Sequence, residues 1–549
     1  MLHPLPILAR GDDMLQRLIL VLALVVTGCG RKETPVDAGI RDQVLHFGNS
    51  SEPEDLDPHV VTGVTEHNIL VALLEGLVSE NPVTLAPVPG VASSWEISED
   101  GTVYTFHLRK NARWSNDDPV SAEDFVFSYK RMLNRDMGNP YADMLYCLNG
   151  AEAYHKGQTT DFSTVGVSAT DPHTLVLTLG SPTPHFLSLL NHFTWFPVHP
   201  GTIRAFKAEA TIATGWTRPP NFVGNGPFVL TRWSSNDRIV VEKSSTYWDR
   251  ENVRLNAIHF HAIGDHNAEE RAFRSGQLHV TATIPIDRLA FYAKNNPDVL
   301  RIDPYLGCYY YLINVNVAPL TDPRVRRALS MSIDREKLVR YVTKGGEDPA
   351  FHFTPPNTAG YTADAGVRYD PAGARALLAE AGYPEGQGLP PIPLLYNTSD
   401  AHATIAQAVG RMWEEALGIT IELQNMEWKV YLNKTQTKQY SLARAGWIAD
   451  FEDPSTFLGL WVTDAGNNRA GWSNATYDVL IRDSALTVDP AERNAIFKKA
   501  EGILMEESPI IPLYFYRSKT LLHRAVREWH PTLLDHHPYK YVYLEAPES

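Results

Sequence analysis

Two opposite charges lie among aromatic side chains in one short segment, RAGWIADFEDPSTFL, which spans residues 444–458. Arg444 stands six residues before Asp450, and Trp447 lies between them. A carboxylate can pair with an ammonium group, and a guanidinium can bind a carboxylate through two parallel hydrogen bonds. The segment is therefore able to hold the two charged ends of a zwitterion. An aspartate at this position is equally compatible with a solvated loop or a helix cap.

The sequence carries none of the catalytic motifs that would turn such a segment into an active site. It has no G-x-S-x-G, H-E-x-x-H, C-x-x-C or P-loop pattern. The stretch GNGPF, residues 224–228, begins like a dinucleotide-binding loop, but it lacks the third glycine and contains a proline. We therefore predict that the chain is not an enzyme and that it binds no cofactor.

Histidine spacing gives one possible metal-binding pair. His259 and His261 are two residues apart on a predicted strand, so both side chains point to the same face. Such a pair can bind a metal ion, but histidines on a strand surface or in a core need none, and we predict no metal site. His536 and His537 are adjacent and point in opposite directions in an extended chain.

The composition and charge of the chain exclude some classes of protein. The 549 residues are 44% hydrophobic and 21% charged, which is typical of a globular protein that is too long for one core. We therefore expect two or three domains. The formal net charge is −15 and no basic patch stands out, so we predict that nucleic acid is not a partner.

The first residues have the features of an export signal. Arg17 precedes the apolar run LILVLALVV, residues 18–26, and TGCG follows it. A basic residue, a short apolar stretch and small residues are typical of a secretory signal, and the run is too short to span a membrane permanently. The segment VTGC, residues 26–29, also resembles a bacterial lipoprotein signal, in which the cysteine is lipidated and becomes the first mature residue.

These features predict how the chain is processed and where it resides. We expect a signal peptide at residues 1–28, lipid on Cys29 and a polar tether over residues 29–43. The mature protein is then lipid-anchored to a membrane and faces the periplasm or the cell envelope. We interpret the two remaining cysteines, Cys147 and Cys308, as free thiols.

The elements that position these residues alternate between strands and helices. Period-two alternation predicts strands at 102–108 and 173–179. Further strands are predicted at 44–48, 238–243, 257–263, 419–423 and 510–516, and a tight turn leads into another within 223–230. Helical spacing and capping residues predict helices at 65–77, 121–133, 324–342, 370–382, 403–418 and 491–507. The mixture indicates an α/β protein.

Ten segments of the chain resemble one protein family, and they occur in the same order. They are LDPH (56–59), ALLEGLVS (72–79), PGVASSWEIS (89–98), YTFHLRKNARWS (104–115), NPYADML (139–145), NGPFVL (225–230), DPYLGCYYYLIN (303–314), LLYNTSDAH (394–402), QNMEWKVYL (424–432) and ARAGWIADFEDPSTFL (443–458). The chain is thereby similar to the periplasmic oligopeptide-binding proteins of solute-binding protein family 5, which are the substrate-binding subunits of peptide ABC importers.

The resemblance implies a two-lobed α/β fold of the type II periplasmic binding protein class with an extra domain. A peptide is enclosed between the two lobes. The implied boundaries are 44–74, 202–306 and 518–549 for domain I, 75–201 for domain II and 307–517 for domain III. It also implies a monomer that works with the membrane-embedded permease subunits of an ABC importer.

The resemblance assigns roles to the charged residues of the opening segment. Asp450 corresponds to an aspartate that pairs with the peptide α-ammonium. Arg444 and His402 correspond to basic residues that meet the C-terminus of peptides of different lengths. The physical chemistry agrees, because an ammonium group enclosed away from water needs a charged partner.

Further residues correspond to those that surround the peptide. Trp428 and Trp447 match aromatic walls of side-chain pockets, and Tyr141 matches a tyrosine near the peptide amino end. Gly446 lies on a segment whose backbone pairs with the peptide main chain, as in β-augmentation. The expected binding residues are completed by Val64 and Tyr310.

The sequence departs from the family pattern at several positions. A cysteine pair of the family corresponds to Gly307 and Ile448, so that disulfide cannot form here. An acidic residue near the peptide amine falls at Thr62, and a second arginine for the carboxyl end falls at Thr435, next to Lys434. We therefore expect the amine to depend more heavily on Asp450, and the preferred peptide length to differ.

The predicted function is extracytoplasmic binding of short peptides, largely independent of their sequence, and their delivery to an ABC importer. The same fold can bind another solute, such as a murein tripeptide, a dipeptide, an opine, a sugar or a nickel complex. An exported peptidase needs a nucleophile or metal that no motif supplies, and a chaperone or sensor can use the same cleft. Two opposite charges, on Asp450 and Arg444, favour a zwitterionic peptide.

Overall fold

Three larger β-sheets organise residues 33–547, the part of the chain that this computed structural model describes. The first has the strand order Val44–Gly48, Ala257–His261, Arg238–Lys243 and Phe228–Ser234. The second has the order Ala92–Ile97, Val103–Leu108, Thr174–Thr178 and Val167–Asp171. The third has the order Asp348–Pro349, Ile510–Leu521, Leu300–Ile313, Leu442–Ile448, Ile392–Asn397 and Ile421–Met426. Two small sheets pair Val78–Glu80 with Pro87–Pro89 and Val526–Arg527 with Tyr543–Leu544.

Helices connect and cover these sheets. The α-helices span Pro35–Asp42, Val64–Leu73, Ala122–Met132, Ala151–His155, Phe186–Leu189, Pro200–Ala205, His266–Arg274, Leu289–Asn295, Pro323–Met331, Arg335–Lys337, Pro371–Glu380, Asp400–Leu417, Trp428–Gln436, Ser455–Leu458, Ala475–Leu486 and Pro490–Glu507. A π-helical segment, Leu338–Thr343, continues the helix that begins at Arg335. In residues 33–547, no helix is long and apolar enough to cross a bilayer.

Most predicted elements are confirmed, and one predicted helix is divided. Asp322 and Asp370 cap helices that begin with proline, as expected, because each carboxylate accepts a backbone N–H of the first turn. The single helix predicted over 324–342 is wrong. It ends at Met331 and restarts at Arg335, because the Asp334 side chain accepts the Lys337 N–H and caps a new helix.

The predicted tether is wrong over residues 35–42, which form a helix. Thr34 accepts the backbone N–H of Asp37, and the Asp37 carboxylate accepts the Thr34 N–H, which completes a capping box. Val36 is 3% exposed, and its N–H donates to the Gly276 carbonyl, so the helix is held against the folded chain. The polar composition obscured this short capping signal. Residues 29–32 of the predicted tether lie outside the described part of the chain.

The hydrophobic residues form cores that belong to different sheets. One continuous cluster fills the space around the first and second sheets and includes Leu45, Phe106 and Phe260. Two further clusters cover the two faces of the third sheet, with Tyr310 in one and Tyr309 in the other. Adjacent tyrosines of one strand point to opposite faces, as strand geometry requires. Separate cores on this scale are typical of separate lobes.

The segment LDPH, residues 56–59, contributes to a buried charge network. Asp57 is 1% exposed and pairs with Arg131, whose terminal nitrogens lie 2.5 and 3.0 Å from the two carboxylate oxygens. A ring nitrogen of His59 lies 2.8 Å from the same guanidinium. Burial and the Arg131 charge lower the pKa of His59 to about 3, so its imidazole is neutral. Asp57 and His59 therefore maintain the fold and do not contact the cavity described below.

The long strands of the third sheet connect the predicted domains. Leu300–Ile313 and Ile510–Leu521 both continue across the predicted boundaries at 306/307 and 517/518. Gly307 lies directly opposite Ile448 in this sheet, and Cys308 lies opposite Trp447. Cys308 is buried and forms no disulfide, and Cys147 is likewise a free, partly buried thiol. The domain boundaries themselves stay a prediction.

Candidate functional site

A cavity of about 480 Å³ lies between the first sheet, the third sheet and the segments around Tyr141 and His192, and its size is typical of small-ligand sites. Residues from the Val64–Leu73 helix, the Trp428–Gln436 helix and the Leu442–Ile448 strand all contribute to its walls. The structure places all nine residues predicted from the sequence in this one cavity. They are Val64, Tyr141, Tyr310, His402, Trp428, Arg444, Gly446, Trp447 and Asp450.

Asp450 presents a carboxylate that its neighbours satisfy only weakly. The side chain is 12% exposed. Its oxygens lie 3.3 Å from the His192 Nε2 atom, 3.4 Å from the Thr456 hydroxyl and 3.5 Å from the Tyr141 hydroxyl. These contacts are longer than ordinary hydrogen bonds to a carboxylate, which measure about 2.7–2.9 Å. Asp450 forms no ion pair with any lysine or arginine of residues 33–547. A cation that enters the cavity would therefore be its strongest partner.

Arg444 carries a guanidinium whose described partners are all neutral. One terminal nitrogen donates to the Tyr516 hydroxyl at 2.9 Å and the other to the Asn397 side chain at 3.3 Å. The guanidinium also lies 4.8 Å from the centre of the Tyr309 ring. The buried Nε–H has no hydrogen-bond partner, and within residues 33–547 no carboxylate pairs with this side chain. The cation is thus positioned by aromatic side chains and remains available to an anion.

The strand between these two charges has one open edge. Residues Arg444–Ile448 pair with the Leu300–Ile313 strand, where Gly446 faces Tyr309. On the other side, the Ile392–Asn397 strand pairs only as far as Ala443. Beyond that point the described chain provides no strand for residues 444–448, and all five line the cavity. A strand edge of this kind accepts an added strand, although the Arg444 carbonyl already accepts the Tyr431 hydroxyl.

Aromatic side chains form the walls on both sides of this edge. Trp428 stacks on Tyr431 with ring centres 5.6 Å apart, and Trp447 lies 6.2 Å from the Tyr141 ring. The Tyr431 hydroxyl donates to the Arg444 carbonyl and so fixes the wall to the strand. The buried indole N–H groups of Trp428 and Trp447 have no partner among the described residues.

His402 differs from its implied role as a basic residue. Its Nδ1 atom lies 3.3 Å from the Tyr309 hydroxyl. Burial lowers the pKa of His402 well below its ordinary value, and the positive charge of Arg444 lowers it further. At neutral pH the imidazole is therefore uncharged. It can donate a hydrogen bond to a carboxylate, but Arg444 supplies the charge.

Comparison with known proteins identifies the family. A family model described as "Bacterial extracellular solute-binding proteins, family 5 Middle" matches residues 86–469. The chain belongs to family 5 of the bacterial extracellular solute-binding proteins. The periplasmic oligopeptide-binding protein OppA of Salmonella typhimurium is 36% identical over 525 residues, which cover 93% of each chain. The resemblance deduced from the ten segments is thereby confirmed.

Solved structures of family 5 proteins confirm the two-lobed α/β fold. Haemophilus influenzae OppA in complex with the peptide RPPGFSPFR gives a TM-score of 0.85 at 30% identity, over 92% of this chain and 99% of that one. The murein tripeptide binding protein MppA of Escherichia coli gives 0.86 at 35% identity, over 91% and 98%. An unliganded open form of MppA gives only 0.61 at 34% identity, over 92% and 97%. The lobes of the present structure are therefore arranged as in the peptide complex and not as in the open form.

Two residues of the cavity, His192 and Arg469, were not predicted from the sequence. His192 lies 3.3 Å from Asp450 although the two are far apart along the chain. Arg469 donates to the hydroxyls of Thr62 and Thr435, each at 3.3 Å. No local pattern marks either residue. The one signal in the sequence is that Thr62 and Thr435 stand where the family resemblance implies charged residues. This indicates an altered pocket but does not show which residue replaces the charges.

The histidine pair on the first sheet gains a third member in the structure. His46 lies opposite His259 in the parallel strand pair, and its Nδ1 atom is 3.1 Å from the His261 Nε2 atom. These three rings are close enough together to hold a metal ion. Burial and neighbouring positive charge, including Arg238, lower the pKa of His46 to about 3 and of His261 to about 4. The same positive charge disfavours a bound cation, and none of the three lines the cavity.

Proposed function

We propose that this chain binds short peptides outside the cytoplasm and delivers them to an ABC-type peptide importer. The observation that carries the proposal is the open edge of residues 444–448, with a guanidinium at one end and a carboxylate just beyond the other, neither of which pairs with a lysine, arginine or acidic side chain of residues 33–547. A backbone edge recognises any peptide main chain, because every residue offers the same donor and acceptor. Binding is therefore largely independent of peptide sequence.

The two charges act as clamps for the two ends of the peptide. Asp450 receives the α-ammonium, and the Arg444 guanidinium receives the α-carboxylate. The residues are six positions apart, so an extended chain between them spans at most about 20 Å at about 3.3 Å per residue. A peptide of up to about five residues can therefore contact both clamps.

The side-chain pockets accept different peptide side chains because their walls are aromatic and have few polar groups that require a specific partner. Trp428 and Trp447 offer flat apolar surfaces to the cavity. Water can satisfy polar peptide side chains in such pockets at little cost. The same fold with another solute, such as a murein tripeptide or a dipeptide, is the second candidate, because MppA gives a TM-score as high as that of OppA.

We further propose that the mature chain is a monomer anchored to a membrane through lipid on Cys29, with residues 1–28 as its signal peptide. The proposal rests on the segment VTGC after a basic and apolar stretch, which lies outside the described residues. An anchored binding protein remains close to the permease subunits that accept its peptide. Labelling cells with a palmitate analogue tests the anchor, since the wild type should be labelled and Cys29→Ser should not; equal labelling of both would contradict it.

Calorimetric titration with alanine peptides of two to six residues tests the proposed function. Bound peptide is first removed by unfolding the protein in guanidinium and refolding it. We expect binding of the free peptides and weaker binding of peptides with an acetylated amino end or an amidated carboxyl end. Free alanine is the control, since it cannot reach both clamps. Failure of every peptide to bind would contradict the proposal.

A further inference from the structure

The charges that line the cavity do not balance once a peptide is bound. Most of them are already paired: Lys519 with Glu347, Arg517 with Asp348, and Asp535 with His537. Among the described lining residues, Asp450, Arg444, Asp535 and Arg469 have no partner of opposite charge on a lysine, arginine or acidic side chain; the ion-pair partners of the two aspartates are the imidazoles of His192 and His537. A zwitterionic peptide neutralises the first two. Arg469 is left as an unmatched cation in the wall.

The position of Arg469 is fixed by its surroundings. The Tyr440 hydroxyl donates to the Arg469 carbonyl at 2.7 Å. Asn467, two residues earlier, donates to the Pro140 carbonyl at 3.2 Å and so attaches this segment to the chain around Pro140. The guanidinium is partly buried and uses one N–H on each of two threonine hydroxyls, both at 3.3 Å. Because these contacts are long and involve neutral groups, the planar guanidinium can still bind a bidentate acceptor.

Thr62 and Thr435 are the positions at which the family resemblance implies an acid and an arginine. Both are neutral here, so the pocket has lost the negative charge that would balance a cation. Arg469 now supplies the positive charge from a different element. The Arg469 charge acts on the Glu54 carboxyl, but Glu54 forms no ion pair within residues 33–547 and does not line the cavity. Burial raises the pKa of Glu54, and the Arg469 charge lowers it only in part.

Arg469 lies toward the end of the cavity that holds the peptide amine. Its guanidinium donates to the hydroxyl of Thr62, the position at which the resemblance implies an acid near the peptide amine. A residue at or near the amino end of a peptide would therefore place its side chain beside this guanidinium. Closing the lobes over an unmatched cation is unfavourable, and a carboxylate there removes that cost.

We infer that Arg469 forms a subsite for a second carboxylate, supplied by an aspartate or glutamate side chain near the amino end of the peptide. The inference rests on the proposed function and adds a preference to it. Peptides with such an acidic residue bind more tightly than their amide analogues. The carboxyl end of a very short peptide offers the same chemistry, so the test must separate these two sources.

A glutamate scan of tetra-alanine tests the inference by calorimetry. Glutamate and glutamine are placed in turn at each position, and the ratio of their dissociation constants is measured. We expect the glutamate peptide to bind about ten- to a hundredfold more tightly at one position near the amino end, as a charge-assisted hydrogen-bonded pair provides. Arg469→Gln should remove this ratio, and Arg469→Lys should retain part of it. Arg517→Gln is the matched control, since Arg517 lines the same cavity but is paired with Asp348, and it should leave the ratio unchanged.

The outcomes distinguish this inference from the proposed function. If tetra-alanine itself fails to bind, the proposed function fails. If it binds and the ratio is near one at every position, or survives in Arg469→Gln, the subsite for an acidic side chain does not exist. If the effect of Arg469→Gln disappears when the peptide carboxyl end is amidated, Arg469 binds that end, and the assignment to a side chain is overturned.

Discussion

The pairing of Asp450 with the peptide ammonium can be tested by removing the charge from each partner. Asp450→Asn retains the shape of the side chain and its contacts with Thr456 and Tyr141, but removes the negative charge. The position near the amine has a threonine, Thr62, which cannot supply a replacement charge. N-acetylation removes the positive charge from the peptide.

The magnitude follows from the surroundings of Asp450. Removing one partner of a fully buried pair costs about 3–5 kcal/mol. The carboxylate is 12% exposed and has three weak neutral contacts, so we take the lower end, about 3 kcal/mol. That corresponds to a loss of about 150-fold in affinity. Acetylation of the peptide should cost the wild type a similar amount and cost Asp450→Asn less than about tenfold, because the pair is already broken.

Calorimetry on wild type and Asp450→Asn, each with free and acetylated tetra-alanine, completes the double-mutant cycle. Asp535→Asn is the matched control. Asp535 lines the same cavity, but it pairs with His537 at 3.0 Å, and its backbone φ of +56° is one that asparagine adopts readily. The control should show the full acetylation penalty of the wild type. Additive losses in the Asp450 cycle would refute the pairing and make Asp450 an ordinary loop or cap residue.

Three further predictions concern the fold and its motion. Asp57→Asn should lower the free energy of unfolding by about 3–5 kcal/mol in urea denaturation, because it leaves the buried Arg131 without a partner of opposite charge; a loss below about 1 kcal/mol would contradict the network. Burial raises the pKa of Glu269 to about 8, so its contribution to stability is full below about pH 4 and is lost as the pH rises through about 8. Glu269→Gln should therefore gain about 1–3 kcal/mol relative to wild type between pH 6 and pH 9, and a constant difference would contradict the shift. The lower TM-score with the open form of MppA predicts that peptide reduces the radius of gyration in small-angle scattering, and an unchanged profile of peptide-free protein at saturating peptide would contradict hinge closure.

The binding residues could be predicted because they occur in segments with distinctive local sequence. Asp450, Arg444 and Gly446 lie within a few residues of one another, so the segment that contains them is recognisable in the chain alone. The structure adds why the spacing matters: the neighbouring strand stops pairing at Ala443 and leaves that segment with an open edge. No sequence pattern shows where one strand of a pair ends before the other.

Contacts between distant parts of the chain were not predictable in the same way. His192 meets Asp450, and Arg469 meets Thr62, only because the fold brings distant segments together at one cavity. Helix ends were misjudged where a single side chain decides them. Asp334 restarts a helix that periodicity alone makes continuous, and Thr34 begins one in a stretch whose composition is typical of a tether.

Native mass spectrometry of the protein purified under gentle conditions tests the central claim most directly. The cavity lies between lobes that are arranged as in a peptide complex, so we expect the protein to carry peptides from its host. Additional masses should be released by collisional activation and should sequence as short peptides with free amino and carboxyl ends. Adducts that are not peptides, in protein that also fails to bind added peptides, would contradict the account.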